Sequence, residues 1–249
     1  MFMHHRIDYF LFLISISISV FLFSEKTFGA TQQRRLKVVV DPGHGGIDGG
    51  AYNGRQKESS LVLKIAQSVE RKVQMDFSLA GQIDIVLTRT EDRHMDLAAR
   101  IVPQLQSDVD LYLSLHLNSS PSPRAQGMEV YFDTGENFSG RASTQVFRKK
   151  ISSHKTVNRI VLDLEESGRN KLSRIFAETL REQWTISPSK IRRVPFFVLN
   201  NNSAPSVLIE AAFLSNKNEA KLLENPEHIE AIAERIIKSL LTYKEIAYN

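Results

Sequence analysis

Short apolar, β-branched runs alternate along this chain with stretches of helical periodicity. That alternation confines it to an α/β fold, a single domain with a mostly parallel or mixed central sheet and helices on both faces. The run Leu36 to Val40 stops at Asp41-Pro42-Gly43 and reads as a buried strand feeding a loop. Ser59 or Ser60 is placed to cap a helix whose Val62, Ile65, Ala66, Val69 and Val73 share one face. Further strands are expected at Ile83–Leu87, Val109–His116, Met128–Phe132, Phe196–Leu199 and Val207–Ile209. Helices are expected at Leu97–Leu105, bent or ended by Pro103, and at Lys171–Trp184. Asn225-Pro226 supplies a cap and a first-turn proline for a last helix reaching about Tyr243. With 249 residues and no internal repeat, a single core suffices.

Before that core comes Tyr9–Phe23, YFLFLISISISVFLF, without charge and preceded by His4, His5 and Arg6. It is shorter than the roughly 20 apolar residues of a spanning helix and suits the apolar centre of a signal peptide. Gly29-Ala30 offers a small-residue cleavage site, so residues 1–30 are expected to be removed on export. The mature chain then has no stable membrane span. The chain has no cysteine, which excludes disulfides, a thiolate nucleophile and sulfur-ligated zinc. Any metal site must be built from His, Asp and Glu. The formal charge of +4 is a mild basic bias that suits an anionic polymer, and no nucleic-acid-binding motif accompanies it.

Four residues stand where chemistry is expected. His44 follows the first strand in DPGHGG, where glycines bring the backbone and imidazole close to a ligand. His116 ends another strand, and strand ends are where α/β sheets open their crevices. Glu58 precedes the first helix, where a carboxylate could join the two histidines but taken alone reads as a surface glutamate favoured by the helix dipole. Glu210 terminates the apolar run PSVLIE, where a carboxylate is costly unless something compensates for it. Asp41 is placed to orient His44 by a hydrogen bond or simply to end the strand. Arg89, Asp92 and Arg100 read as a structural charge cluster, and Asn118 as a substrate contact or turn cap. His94, His154 and His228 lie in polar, exposed contexts with no assigned role.

Five ordered blocks, DPGHGGIDGGA, KESSLVLKIA, TRTEDRHMDLAAR, VDLYLSLHLNSS and PSVLIEAAFLSN, closely resemble the zinc-dependent type-3 N-acetylmuramoyl-L-alanine amidases. The resemblance runs from about Leu36 to Tyr243 and implies a catalytic domain over residues 36–245. Residue by residue, it puts the ligands of one catalytic Zn2+ on His44, Glu58 and His116, and the catalytic glutamate on Glu210. It implies hydrolysis of the amide between N-acetylmuramic acid and L-alanine in peptidoglycan, by an exported monomer in the periplasm or cell envelope. A zinc peptidase acting on stem peptides and a non-catalytic wall-binding or activator protein are the rival readings.

Between residues 134 and 168 the chain is polar, and Asn137–Leu162 contains Arg141, Arg148, Lys149, Lys150, Lys155 and Arg159 but no acid. This stretch reads as a surface insertion. Arg159–Phe176 resembles the end of an insertion that, in some family members, plugs the metal site until a protein activator removes it. On that resemblance Glu165 or Glu166 reaches the metal.

Overall fold

The inner strand β1 (Leu36–Pro42) is buried along nearly its whole length, as its unbroken apolar run requires of a strand covered on both faces. The computed structural model describes residues 34–101, 108–133 and 155–248, with the helical backbone alone for 155–162. After β1 come α1 (Glu58–Met75), the single turn α2 (Phe77–Ala80), β2 (Ile83–Leu87) and a second single turn, α3 (Leu97–Arg100). Then follow β3 (Leu111–Asn118), β4 (Met128–Phe132), the long α4 (Lys155–Gln183), β5 (Ser189–Arg193) and the turn α5 (Phe197–Asn200). The chain closes with β6 (Ser206–Phe213), α6 (Lys217–Leu222) and α7 (Pro226–Tyr248).

The six strands form one sheet in the order β2-β1-β3-β6-β4-β5. The neighbours from β2 through β6 are parallel, β4 runs antiparallel to β6, and β5 is parallel to β4. The sheet is therefore mixed. Alternate strand residues face opposite ways. Val38, Val40, Leu113 and Ile209 meet α1, α4 and α7, through residues such as Ile65, Phe176 and Ile236, in the main core. Val39, Tyr112 and Leu208 form a smaller cluster on the other face with Val198 and Leu199 of α5. Burying a Val or Leu side chain contributes about 1.5–3 kcal/mol, so the helix-covered face supplies most of the apolar stabilisation.

Several boundaries differ from expectation. Helix α1 starts at Glu58 with Lys57 as N-cap, and neither serine caps it. The preceding loop does that work, because Glu58 N donates to Ala51 O and Ser59 N to Gly49 O, satisfying first-turn amides that a cap would otherwise serve. Phe196–Leu199 is a helical turn and not a strand, and the strand before it is the polar SKIRR of β5. Helix α4 begins at Lys155, well before Lys171 and inside the expected insertion. Its early turns carry Val157, Ile160, Val161 and Leu164 at helical spacing, but the polar, basic stretch they sit in reads as an insertion and masks that period. The terminal helix continues past Tyr243 to Tyr248. The expected signal segment, Pro103 and residues 134–154 lie outside the described residues. Among the described residues no helix is long and apolar enough to cross a membrane.

Candidate metal centre

The chain leaves β1 towards β2 on one side, while β3 pairs with β1 on the other, so the β1–β3 edge is a topological switch point. There the loop after β1, the first turn of α1 and the end of β3 meet. His44 is the only described non-glycine residue with positive φ, at 58°, a conformation that histidine tolerates better than most residues. Glu58 is buried, and its Oε1 lies 2.9 Å from His116 Nδ1 and 3.2 Å from His44 Nε2. Leu117 N also donates to Oε1 at 3.0 Å, and Ala51 N donates to Oε2 at 2.8 Å. One potential ligand atom each from His44, Glu58 and His116 lies within 4.8 Å of the other two. Two imidazoles and one carboxylate at this spacing fit a divalent ion such as zinc and leave a coordination position for water or substrate. Glycine is needed at position 43, where a Cβ would come within 2.2 Å of the His116 ring.

The electrostatics follow from this crowding. The Glu58 hydrogen bond, helped by Asp48 and opposed by burial, raises His44 to about 9. Burial alone would raise Glu58, but the hydrogen bonds of His116 and His44 outweigh it and hold the carboxyl well below its usual range.

Glu210 faces the cluster. It is interior to β6 rather than terminal, directly opposite His116 on β3 and Glu129 on β4. Residues paired in this way project from the same face of a sheet. Likewise β3 does not end at His116 but runs to Asn118, with an irregular register between them. The buried Oε2 of Glu210 has no hydrogen-bond partner. Burial pushes its pKa up to about 7, with Glu58 adding to the rise and His116 opposing it. An unpartnered buried carboxylate near neutrality is suited to accept and return a proton.

The support of this loop departs from expectation. Asp41 does not orient His44. It accepts from Thr88 Oγ1 at 2.5 Å, Arg100 Nη1 at 3.0 Å and Tyr112 OH at 2.8 Å on the buried sheet face. The residue bonded to His44 Nδ1 is Asp48, at 2.8 Å. An imidazole that ligates through one nitrogen commonly donates from the other to a carboxylate. The only advance signal for Asp48 was an acid four residues after a histidine in a glycine-rich loop. Arg100 also donates to Pro42 O and His44 O, while Arg89 donates to Pro42 O, Gly43 O and Ser59 O. Two buried guanidiniums thus hold three successive carbonyls of the His44 loop. Asp92 accepts from Gly46 N, and Asn118 donates to Glu129. Exposed His94 pairs with Asp96, His228 is half-buried, and His154 lies outside the described residues.

Glu165 and Glu166 do not approach the cluster. Arg169 donates to Asn202 O and Ser206 N donates to Ser173 Oγ, which fixes this part of α4 at the N-terminal end of β6. Glu210 lies about 13 Å along β6 from Ser206. Glu166 lies about 10 Å back along α4 from Ser173, in the opposite sense. The acidic residues therefore sit beyond the N-terminal end of β6, away from Glu210.

Comparison with known proteins agrees with this arrangement. The profile of the family Amidase_3, described as N-acetylmuramoyl-L-alanine amidase, matches residues 38–242. The chain is 27% identical over 225 residues to the N-acetylmuramoyl-L-alanine amidase AmiC of Neisseria meningitidis serogroup B, covering 84% of this chain and 53% of that protein. It is 26% identical over 264 residues to the germination-specific N-acetylmuramoyl-L-alanine amidase of Bacillus subtilis, covering 97% and 96%. It thus spans about half of the first relative and nearly all of the second. Its fold is similar to that of the CwlD amidase from Clostridioides difficile, solved in complex with the GerS lipoprotein. That match has a TM-score of 0.58 and 21% identity, and covers 85% of this chain and all of that one.

Proposed function

The chain belongs to the N-acetylmuramoyl-L-alanine amidase family, and on that premise we propose a zinc-dependent hydrolysis in which Glu210 is the general base. The substrate is peptidoglycan, and the bond cut is the amide between N-acetylmuramic acid and L-alanine. His44, Glu58 and His116 hold the ion. When bound, it supplies Lewis acidity, polarising the scissile carbonyl and acidifying the attacking water. Glu210 takes the proton of that water and delivers it to the leaving amine, which departs as the free N-terminus of the stem peptide. Asp48 holds the His44 ring by its second nitrogen, and the Arg89–Arg100 pair holds the backbone that carries it.

The observation that carries this reading is the pairing of His116 with Glu210 across β3 and β6, which sets an unpartnered carboxylate beside the three-residue cluster. The protein acts as an exported monomer in the periplasm or cell envelope, with residues 1–30 as its signal. The relative solved with a lipoprotein supports a protein activator as a partner.

The test is mass spectrometry of peptidoglycan digested with mature protein, with and without a chelator. Stem peptides beginning at L-alanine, lost on chelation and restored by zinc, are the expected products. Cuts within the stem would make the protein a peptidase. No product under any metal would leave a wall-binding role.

A further inference from the structure

The row that begins at the metal cluster does not stop at Glu210. Register carries it from His116 on β3 through Glu210 on β6 and Glu129 on β4 to Lys190 on the edge strand β5. All four project from one sheet face. Alongside this row runs a groove of about 600 Å³, lined by Asn118, Arg124, Glu129, Lys190, Arg192 and Phe213 among others. Asn118 lies two residues from His116, so the groove opens beside the cluster.

Charge in the groove is lopsided. Glu129 is its one acid, and Arg192 Nη2 engages it at 3.0 Å. Tyr131 OH and Asn118 Nδ2 donate to its other oxygen. Arg124 and Lys190 are exposed and form no ion pair among the described residues. Arg124 and Lys190, without an ion pair at contact distance among the described residues, therefore face a groove whose only carboxylate has Arg192 as its bonded partner, with Lys190 adding a longer-range attraction to it. In the His44 loop, exposed Ile47 and Tyr52 stand among the exposed charges of Asp48, Arg55 and Lys57.

We infer that Arg124 and Lys190 form a subsite for a carboxylate on the peptide arm of the substrate. The inference rests on the amidase reading above and adds a direction and a specificity to it. Lys190 is two strand spacings from Glu210, about 10 Å. An extended peptide covers about 3.3–3.6 Å per residue. The carboxylate recognised is then on the second or third residue after the cut bond. A competing explanation is that cations on β5 merely deter edge-to-edge pairing, which requires no substrate preference.

The experiment compares two substrates with the mature zinc-loaded protein. One is an N-acetylmuramoyl tripeptide with free carboxylates on its second and third residues, and the other is the same compound with both amidated. The wild type should favour the free acid by about fivefold in kcat/KM, mainly through KM, as suits an exposed charge pair. Lys190→Gln and Arg124→Gln should each bring that ratio towards unity, and added salt should lower it in the wild type. Equal use of both substrates by the wild type, or a preference surviving in both variants, would overturn the subsite while leaving the amidase reading intact. Release of peptide from neither substrate would sink the amidase reading itself, and the subsite with it.

Discussion

Replacing Gly50 by alanine separates two costs that usually arrive together. Gly50 has φ of +66°, and a Cβ there would come within 2.5 Å of Glu58 Oε2 and 2.6 Å of His44 Cδ2. The backbone term is about 1–2 kcal/mol for a side chain in the left-handed region. At about 2–4 °C per kcal/mol for a domain of this size, Tm should fall by about 2–8 °C. The steric term is different in kind. Ordinary contact needs about 3.4 Å or more, so two of the three cluster residues must move by nearly an ångström. A displacement of that size costs about a hundredfold in rate where geometry is critical. Gly54 supplies the control, having φ of +90° and nothing within 4 Å of the added Cβ. Gly54→Ala should therefore lose stability without the loss of metal binding. The assay is zinc titration by calorimetry, with thermal melts and turnover on peptidoglycan for both variants. If Gly50→Ala bound zinc and turned over like Gly54→Ala, the cluster would not be the working site.

Three further outcomes are expected. Glu210→Gln should keep its zinc stoichiometry and lose about 10²–10⁴ in kcat, as removal of a general base does; near-normal turnover would refute the assignment. In the metal-free protein, the raised pKa of Glu210 means that the unfolded chain loses this proton near 4.5 and the folded one only near 7. Wild-type stability should therefore fall between those pH values relative to Glu210→Gln and the gap should stay constant above them, as read from paired melts. Arg100→Met strips a buried partner from Asp41, takes the arginine donor from His44 O and leaves Pro42 O to Arg89 alone, so it should cost about 3–5 kcal/mol and weaken zinc binding. A denaturant midpoint equal to wild type would contradict that.

How much of this was legible in advance depended on whether burial left a mark in the residues. β1, β2 and β4 are apolar because both faces or the inner face are covered, and their bounds lie close to those expected. β5 is an edge strand written SKIRR, and an edge strand is held by backbone pairing with little need for apolar side chains. The first half of α4 was missed for another reason, since Val157, Ile160, Val161 and Leu164 do recur at helical spacing but lie in a run whose basic charge drew the reading of an insertion. Phe196–Leu199 misled in the other direction: its four apolar residues follow Pro195, and only two of them, Val198 and Leu199, reach the second core. At the site, His44, His116 and Glu210 could be singled out because each follows or ends an apolar run, whereas Glu58, after the polar Gly54–Lys57, was joined to them only by the family resemblance. The roles of Asp41 and Asp48 could not. Strand alternation turns Asp41 towards Tyr112 and Arg100, while only the folded loop brings Asp48 back to His44.

The two arginines that grip the His44 loop also bear on how metal arrives and leaves. Their donors hold Pro42, Gly43 and His44 through main-chain oxygens, so bonds from the folded core support the loop's unusual path. Removing metal should therefore leave a receptive cradle, and reloading should proceed without a folding step. Uptake would then be limited by how fast the ion sheds its hydration shell. A protein emptied by a competing chelator would be idle only until supply returned.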